Sequence, residues 1–113
     1  MHRLLPYIWD MLVAMDLKQL RYFVAVAEAG HITRAAHALG MQQPPLSQQM
    51  KALEASVGAQ LLRRHPRGVS VTDSGKRLLD DARRILADVA AVEDRFAQAA
   101  SGLQGRLAIS FTS

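Results

Sequence analysis

The stretch from Lys76 to Ala100 contains neither proline nor glycine, and it constrains the fold more than any other part of the sequence. Thr72 before it can cap a helix, and Asp73 suits the positive end of the helix dipole. A helix over 73–100 would be about 42 Å long at 1.5 Å per residue, which a small domain cannot cover. The sequence therefore predicts a long linker helix with a face that needs a partner.

The apolar residues of this helix form a heptad seam. They alternate at spacings of four and three residues: Leu78, Ala82, Ile85, Val89, Val92, Phe96 and Ala99. The seam predicts a homodimer. The alternative is that the helix packs only on its own domain.

The composition bounds the class of protein. The chain has 113 residues, of which 50% are hydrophobic and 21% charged, so one small core can form. Cysteine is absent, which excludes disulfides, thiolate zinc sites and a cysteine nucleophile. The histidines show no metal-binding spacing, and no glycine-rich phosphate loop is present. We therefore expect no catalytic site, no metal and no cofactor.

The net charge of +4 is unevenly distributed. Residues 1–72 hold eight basic and four acidic side chains, whereas residues 73–113 hold six of each. A basic first part fits an anionic partner, although a solvated basic face would look the same.

The first fourteen residues are apolar but do not resemble a targeting segment. Pro6 and Asp10 interrupt them, no small-residue cleavage site follows, and no run approaches the about 20 apolar residues of a membrane span. We interpret residues 1–14 as an extension outside the fold, preceding a start at Met15, and expect a cytoplasmic protein.

Three shorter helices are expected over about 16–29, 33–39 and 44–57, each followed by glycine. Thr33 can cap the second helix, and Pro44 and Pro45 suit the first turn of the third. Apolar residues recur at helical spacing in the first helix, at Leu17, Leu20, Phe23, Val24 and Ala27. The predicted buried stripe of the third helix is Leu46, Met50, Leu53 and Val57.

Residues 61–72 change periodicity and predict a β-hairpin. Leu61–Arg63 and Val69–Val71 flank a turn with Pro66 and Gly68. The tip carries no acidic residue and four basic or titratable ones: Arg63, Arg64, His65 and Arg67. A basic hairpin after three helices is a wing, so the predicted fold class is mainly α, a winged helix-turn-helix followed by a long dimerisation helix.

The outward face of the third helix suits DNA. Pro44, Ser47, Gln48 and Lys51 lie opposite its apolar stripe, with Gln43 at its start. Amides and hydroxyls can bond to base edges in the major groove, although glutamine is also a common surface residue of helices. Wing arginines can reach phosphates or the minor groove, and Thr33 and Arg34 are further phosphate candidates.

Together these segments resemble the DNA-binding domain of LysR-type transcriptional regulators, from Met15 to about Phe111. The matching stretches are Leu20–Glu28, Thr33–Ala36, Gln43–Gln49, Leu53-Glu54, Gly58–Arg64 and Val71–Gly75. The Gln-Pro-Pro-Leu-Ser and Leu-Leu-Arg-Arg segments are most similar to regulators of aromatic-compound catabolism.

The resemblance implies roles for individual residues. It places the helix of residues 44–57 in the major groove and the wing of residues 61–72 at the minor groove. Implied base contacts are Gln43, Pro44, Pro45, Ser47, Gln48 and Arg67. Implied backbone contacts are Thr33, Arg34 and Arg64, to which we add Lys51 and Arg63. Gln48 departs from the family, where arginine is common.

The resemblance also implies a domain plan: residues 15–72 as the winged helix domain, 73–100 as the dimerising linker, and 101–113 as a hinge and the first strand of an absent effector-binding domain. It further implies a nucleoid-associated regulator that binds an imperfect palindrome as a dimer, forms a tetramer when full-length, and senses a small molecule through the absent domain. The rival hypotheses are a nonspecific architectural DNA binder and a protein-interaction module that uses the long helix.

Overall fold

The computed structural model describes residues 15–107, with side chains up to residue 102. Its elements in chain order are α1 (Leu17–Ala29), α2 (Ile32–Leu39), α3 (Gln43–Val57), β1 (Leu62–His65), β2 (Gly68–Val71) and α4 (Asp73–Leu107). The mainly helical fold with a short hairpin and a long last helix is confirmed. The predicted extension 1–14 and residues 108–113 lie outside the described residues.

Helix α1 begins and ends as the sequence predicts. The Asp16 carboxylate accepts a hydrogen bond from the Gln19 backbone N–H at 2.7 Å, and Gly30 ends the helix in the left-handed region at φ 66°. Its buried apolar residues are Leu20, Phe23 and Val26. Leu17, the first residue of the apolar repeat, is 41% exposed, because periodicity gives the spacing of a stripe but not the angle from which other helices cover it.

The turn between α2 and α3 brings the two helices close together. Ala35 and Ala36 are almost fully buried, and these small side chains let α3 approach. Helix α2 begins at Ile32, with His31 at its N-cap and no side-chain cap. The predicted cap by Thr33 was wrong: burial of Ile32 in the core draws it into the helix, so Thr33 falls inside the first turn.

Helix α3 begins at Gln43, one residue before the predicted start, with both prolines in its first turn. Leu46, Met50 and Leu53 are buried, as predicted. Val57 is 38% exposed, so its predicted burial was wrong. It lies in the last turn, directly before Gly58 turns the chain at φ 69°.

The wing is an antiparallel pair in which Leu62 lies opposite Val71 and His65 opposite Gly68. Pro66 and Arg67 form its turn. The strands are shifted from the predicted ranges: Leu61 precedes β1, and β1 continues to His65. The Glu54 carboxylate accounts for this start, since its Oε2 accepts hydrogen bonds from the backbone N–H groups of Leu61 and Leu62 at 2.7 and 3.2 Å.

A second anchor joins the wing to the turn after α1. The Val69 N–H donates to the Gly30 carbonyl at 3.0 Å, and Leu62 and Val69 are buried in the core. Gly68 has φ 137°, and a Cβ there would collide with the Gly30 carbonyl oxygen. Only glycine fits both this backbone conformation and this close approach.

Helix α4 has the predicted cap. The Thr72 hydroxyl accepts from the Gly75 N–H at 3.0 Å and donates to the Gln60 carbonyl at 2.6 Å. The helix runs to Leu107, past the predicted end at 100, and Gly105–Leu107 are helical where a strand was expected. Gly102 and Gly105 each cost the helix only about 1 kcal/mol, which does not end it.

The chain divides into two compact units after Arg83. The first turns of α4 belong to the first unit, where Leu78 and Leu79 pack on the core and Ala82 is fully buried. The second unit starts at Arg84, inside the predicted linker of residues 73–100. In the described part of the chain, no helix is long and apolar enough to cross a membrane.

Candidate nucleic-acid interface

Helix α3 presents a polar face to solvent. Pro44, Pro45, Gln48 and Lys51 are exposed, and Ser47 is half-buried. These residues lie away from the side that carries Leu46, Met50 and Leu53, because a helix separates neighbouring residues by 100°. The face has the length of a few turns and the donor and acceptor groups that a major groove requires.

Three elements meet at one cleft of about 190 Å³. Thr33 comes from the first turn of α2, Gln43 from the start of α3, and Arg64 from the wing. The other lining residues are His31, Ile32, His65, Gly68 and Val69. The cleft therefore unites candidates that the sequence could only assign to separate elements.

The start of α2 adds positive character beside this cleft. Thr33 and Arg34 are exposed, and the first N–H groups of a helix have no partner within the helix. The dipole of α2 places partial positive charge at the same end. Hydroxyl, amide and guanidinium donors are thus available to one anion, which is the chemistry of phosphate binding at helix N-termini.

The wing arginines differ in position. Alternation along β1 places Arg64 on the same face as buried Leu62 and Arg63 on the opposite face. Arg64 lines the cleft, whereas Arg63 is not among its lining residues. Arg67 is exposed in the turn, where its backbone N–H donates to His65 Nδ1 at 3.2 Å. All three arginines are exposed.

A direct bond joins the wing to α3. Arg64 Nη2 donates to Ser47 Oγ at 2.6 Å. Sequence reasoning assigned these two residues to different tasks and did not pair them. No sequence signal marks the pair, since the two residues are 17 positions apart and lie in elements of different type.

A hydrogen bond between two amide side chains was also missed. Gln19 is only 6% exposed, and its Nε2 donates to Gln49 Oε1 at 3.1 Å, which links α1 to the inner side of α3. Buried polar side chains need such partners. A glutamine between Leu17 and Leu20 was the available signal for a buried polar contact.

The predicted seam of α4 divides at Arg83. Ala82 is fully buried by its own chain, so it has no surface to offer a dimer, and Leu78 is half-buried against the core. The first turns of α4 thus complete the core of the first unit, and Leu78 stays a predicted member of the seam with part of its side chain exposed. Within the second unit, Ile85, Val92 and Phe96 are exposed, the last at 73%. Val89 is half-buried and Ala99 exposed.

Comparison with known proteins identifies the family. Residues 17–76 match the family described as "Bacterial regulatory helix-turn-helix protein, lysR family". The chain is 52% identical over 99 residues to the HTH-type transcriptional regulator BudR of Klebsiella aerogenes, covering 88% of this chain and 69% of BudR.

Solved structures agree with this match. The CbnR_DBD–DNA complex is 49% identical with a TM-score of 0.71, covering 76% of this chain and 99% of that chain. The BenM_DBD/catB site 1 DNA complex is 41% identical with a TM-score of 0.74, covering 77% and 98%. By contrast, the chain spans only 29% of the crystal structure of CbnR, a LysR family transcriptional regulator. The winged helix domain corresponds to the domain that the CbnR and BenM complexes contain, and the protein therefore belongs to the LysR family of bacterial helix-turn-helix transcription regulators.

Proposed function

We propose that this chain reads a specific double-stranded DNA sequence, with α3 in the major groove and the wing at the minor groove. The observation that carries the proposal is the cleft shared by Thr33, Gln43 and Arg64. It aligns the start of α2, the start of α3 and the wing on one surface. A duplex whose major groove receives α3 would bring its phosphates to α2 and the wing.

Under this proposal the polar face of α3 reads bases. Gln43 and Gln48 can each form paired hydrogen bonds with adenine, and proline rings can pack on thymine methyl groups. The proposed base-contact set is Gln43, Pro44, Pro45, Gln48 and Arg67. The proposed backbone contacts are Thr33, Arg34, Lys51, Arg63 and Arg64.

Gln48 gives the site a chemistry of its own. Arginine, which is common at this position in the family, bonds most specifically to guanine, whereas glutamine bonds to adenine. The amide also brings no charge into the groove. We therefore expect an operator with adenine at the base pair that α3 meets through Gln48.

A second copy of the chain completes the proposed regulator. Ile85, Val89, Val92, Phe96 and Ala99 retain the heptad spacing within the second unit. Pairing along this seam would cover exposed apolar side chains and give two reading heads related by two-fold symmetry. The matching DNA site is an imperfect palindrome.

The remaining features of the whole protein are proposals by family membership. They are a cytoplasmic, nucleoid-associated location, a tetramer of the full-length protein, and an effector-binding domain that senses a small molecule. Membership of the subgroup that regulates aromatic-compound catabolism is a proposal of the same kind.

Fluorescence anisotropy tests the proposed function. The chain is titrated with duplex DNA from beside its own gene and with a scrambled duplex, at several salt concentrations. Tighter binding to the native duplex with a steep salt slope is expected, because arginine and lysine displace counterions from phosphates. Equal binding to both duplexes would indicate an architectural protein, and no binding at any salt would indicate a protein-docking module.

A further inference from the structure

The contact between Arg64 and Ser47 suggests a role for Ser47 other than base reading. The guanidinium Nη2 donates to the Ser47 hydroxyl oxygen at 2.6 Å, and both side chains reach solvent. This bond spans from β1 to α3 on the surface proposed to meet DNA. Ser47 is the one member of the predicted base-contact set for which a bond to a wing arginine is found among the described residues.

The chemistry of the two groups leaves both able to meet DNA. A guanidinium has five N–H donors, so one bond to Ser47 leaves donors for a phosphate oxygen. The serine hydroxyl, which accepts the arginine N–H, still has its own proton to donate. The pair can therefore act as one unit in which the arginine supplies the charge and the serine sets its direction.

The wing holds the backbone of Arg64 in place from the other side. Arg64 lies opposite Val69 in the hairpin, and Val69 is buried and bonded through its N–H to the Gly30 carbonyl. Gly68 packs on the same carbonyl. The Cα of Arg64 is thus fixed by the core, and its long side chain is hydrogen-bonded to Ser47.

Such fixing matters because a free arginine side chain has high rotamer entropy, which is lost when it is immobilised on a ligand. A side chain that is oriented before binding loses less. We infer that Ser47 is a positioning residue, which orients Arg64 toward the DNA backbone and does not itself discriminate bases. This inference rests on the proposed function and replaces the base contact predicted for Ser47.

A double-mutant cycle tests the inference on native and scrambled duplexes. Ser47→Ala is expected to weaken binding to both duplexes by the same factor, roughly two- to tenfold, the range of one hydrogen bond. In the Arg64→Ala background, Ser47→Ala should then have no further effect. Ser47→Thr, which keeps the hydroxyl, should restore most of the affinity.

Controls separate positioning from a general loss of structure. Ser74→Ala removes an exposed hydroxyl from the first turn of α4, outside the proposed DNA contacts, and should leave both affinities unchanged. Thermal unfolding should be unchanged in Ser47→Ala, because the bond lies at the surface.

Two outcomes would overturn the inference. A drop in the ratio of native to scrambled affinity for Ser47→Ala would show that Ser47 reads a base. An undiminished effect of Ser47→Ala in the Arg64→Ala background would show that it acts without the arginine. Failure of the proposed function looks different, since the unmodified chain would then show no preference for the native duplex.

Discussion

Phe23 and Phe96 both lie on helices, but they differ in burial between the two units of the chain. Phe23, in the first unit, is fully buried among residues from α2, α3 and the wing. Phe96, in the second unit, is 73% exposed. Burial of a phenylalanine contributes about 1.5–3 kcal/mol, so the first unit has gained this free energy within one chain and the second has not. The first unit therefore has a core of its own, whereas the exposed apolar side chains of the second suit association.

The largest effect that tests this contrast is expected from Phe23→Ala. Loss of a fully buried ring leaves a cavity and should lower the free energy of unfolding by about 3–5 kcal/mol. Guanidinium unfolding followed by circular dichroism measures it. Phe96→Ala is the matched variant and should leave the stability of the first unit unchanged. Equal destabilisation by both would mean that the two units do not differ as described.

Val89→Asp addresses the second unit. A charge on each copy inside the proposed seam should weaken the dimer by about 3 kcal/mol or more, because neither carboxylate gains a partner. Sedimentation velocity is expected to show monomers. Ala87→Asp places the same charge on an exposed position of α4 away from the seam and should leave dimers intact. Dimers that persist in Val89→Asp would reject the seam.

Gly68→Ala tests how the first unit holds its wing. The positive φ and the collision with the Gly30 carbonyl should destabilise the domain by about 2 kcal/mol and weaken binding to every duplex. Gly102→Ala is the matched control in the second unit, where nothing lies near an added Cβ. It should stabilise helix α4 by about 0.5–1 kcal/mol, so the two glycine variants are expected to change unfolding in opposite directions.

Gln43→Ala and Arg64→Ala separate base recognition from DNA backbone binding inside the first unit. Gln43→Ala should cost about 1–3 kcal/mol on the native duplex and relax base preference at one position of each half-site. Arg64→Ala should weaken native and scrambled duplexes alike and flatten the salt slope by about one. Anisotropy on single-base variants of the native duplex, across several salt concentrations, measures both. If Gln43→Ala discriminated between bases as well as the unmodified chain, Gln43 would not be a base contact in the major groove.

Local patterns in the sequence were sufficient for the element order and the class of partner. Glycine at positions 30, 40 and 58 ends the three short helices because each adopts the left-handed conformation there. The Thr72 cap, the prolines of α3 and the basic hairpin act within a few residues of chain. Because the family motifs are also short and local, they could be recognised in the sequence. They predicted a transcription regulator and not an enzyme.

Contacts between distant residues were decided only by the tertiary structure. Periodicity could not tell that Val26 is buried and Leu17 exposed, or that Ala82 belongs to the core and not to the seam. It also could not predict the hydrogen bond of Glu54 to the backbone before β1, or the hydrogen bond between Arg64 and Ser47. The physical reason is that a repeat of three or four residues specifies which side chains share a face. Which neighbour covers that face depends on how elements far apart in the sequence pack against one another.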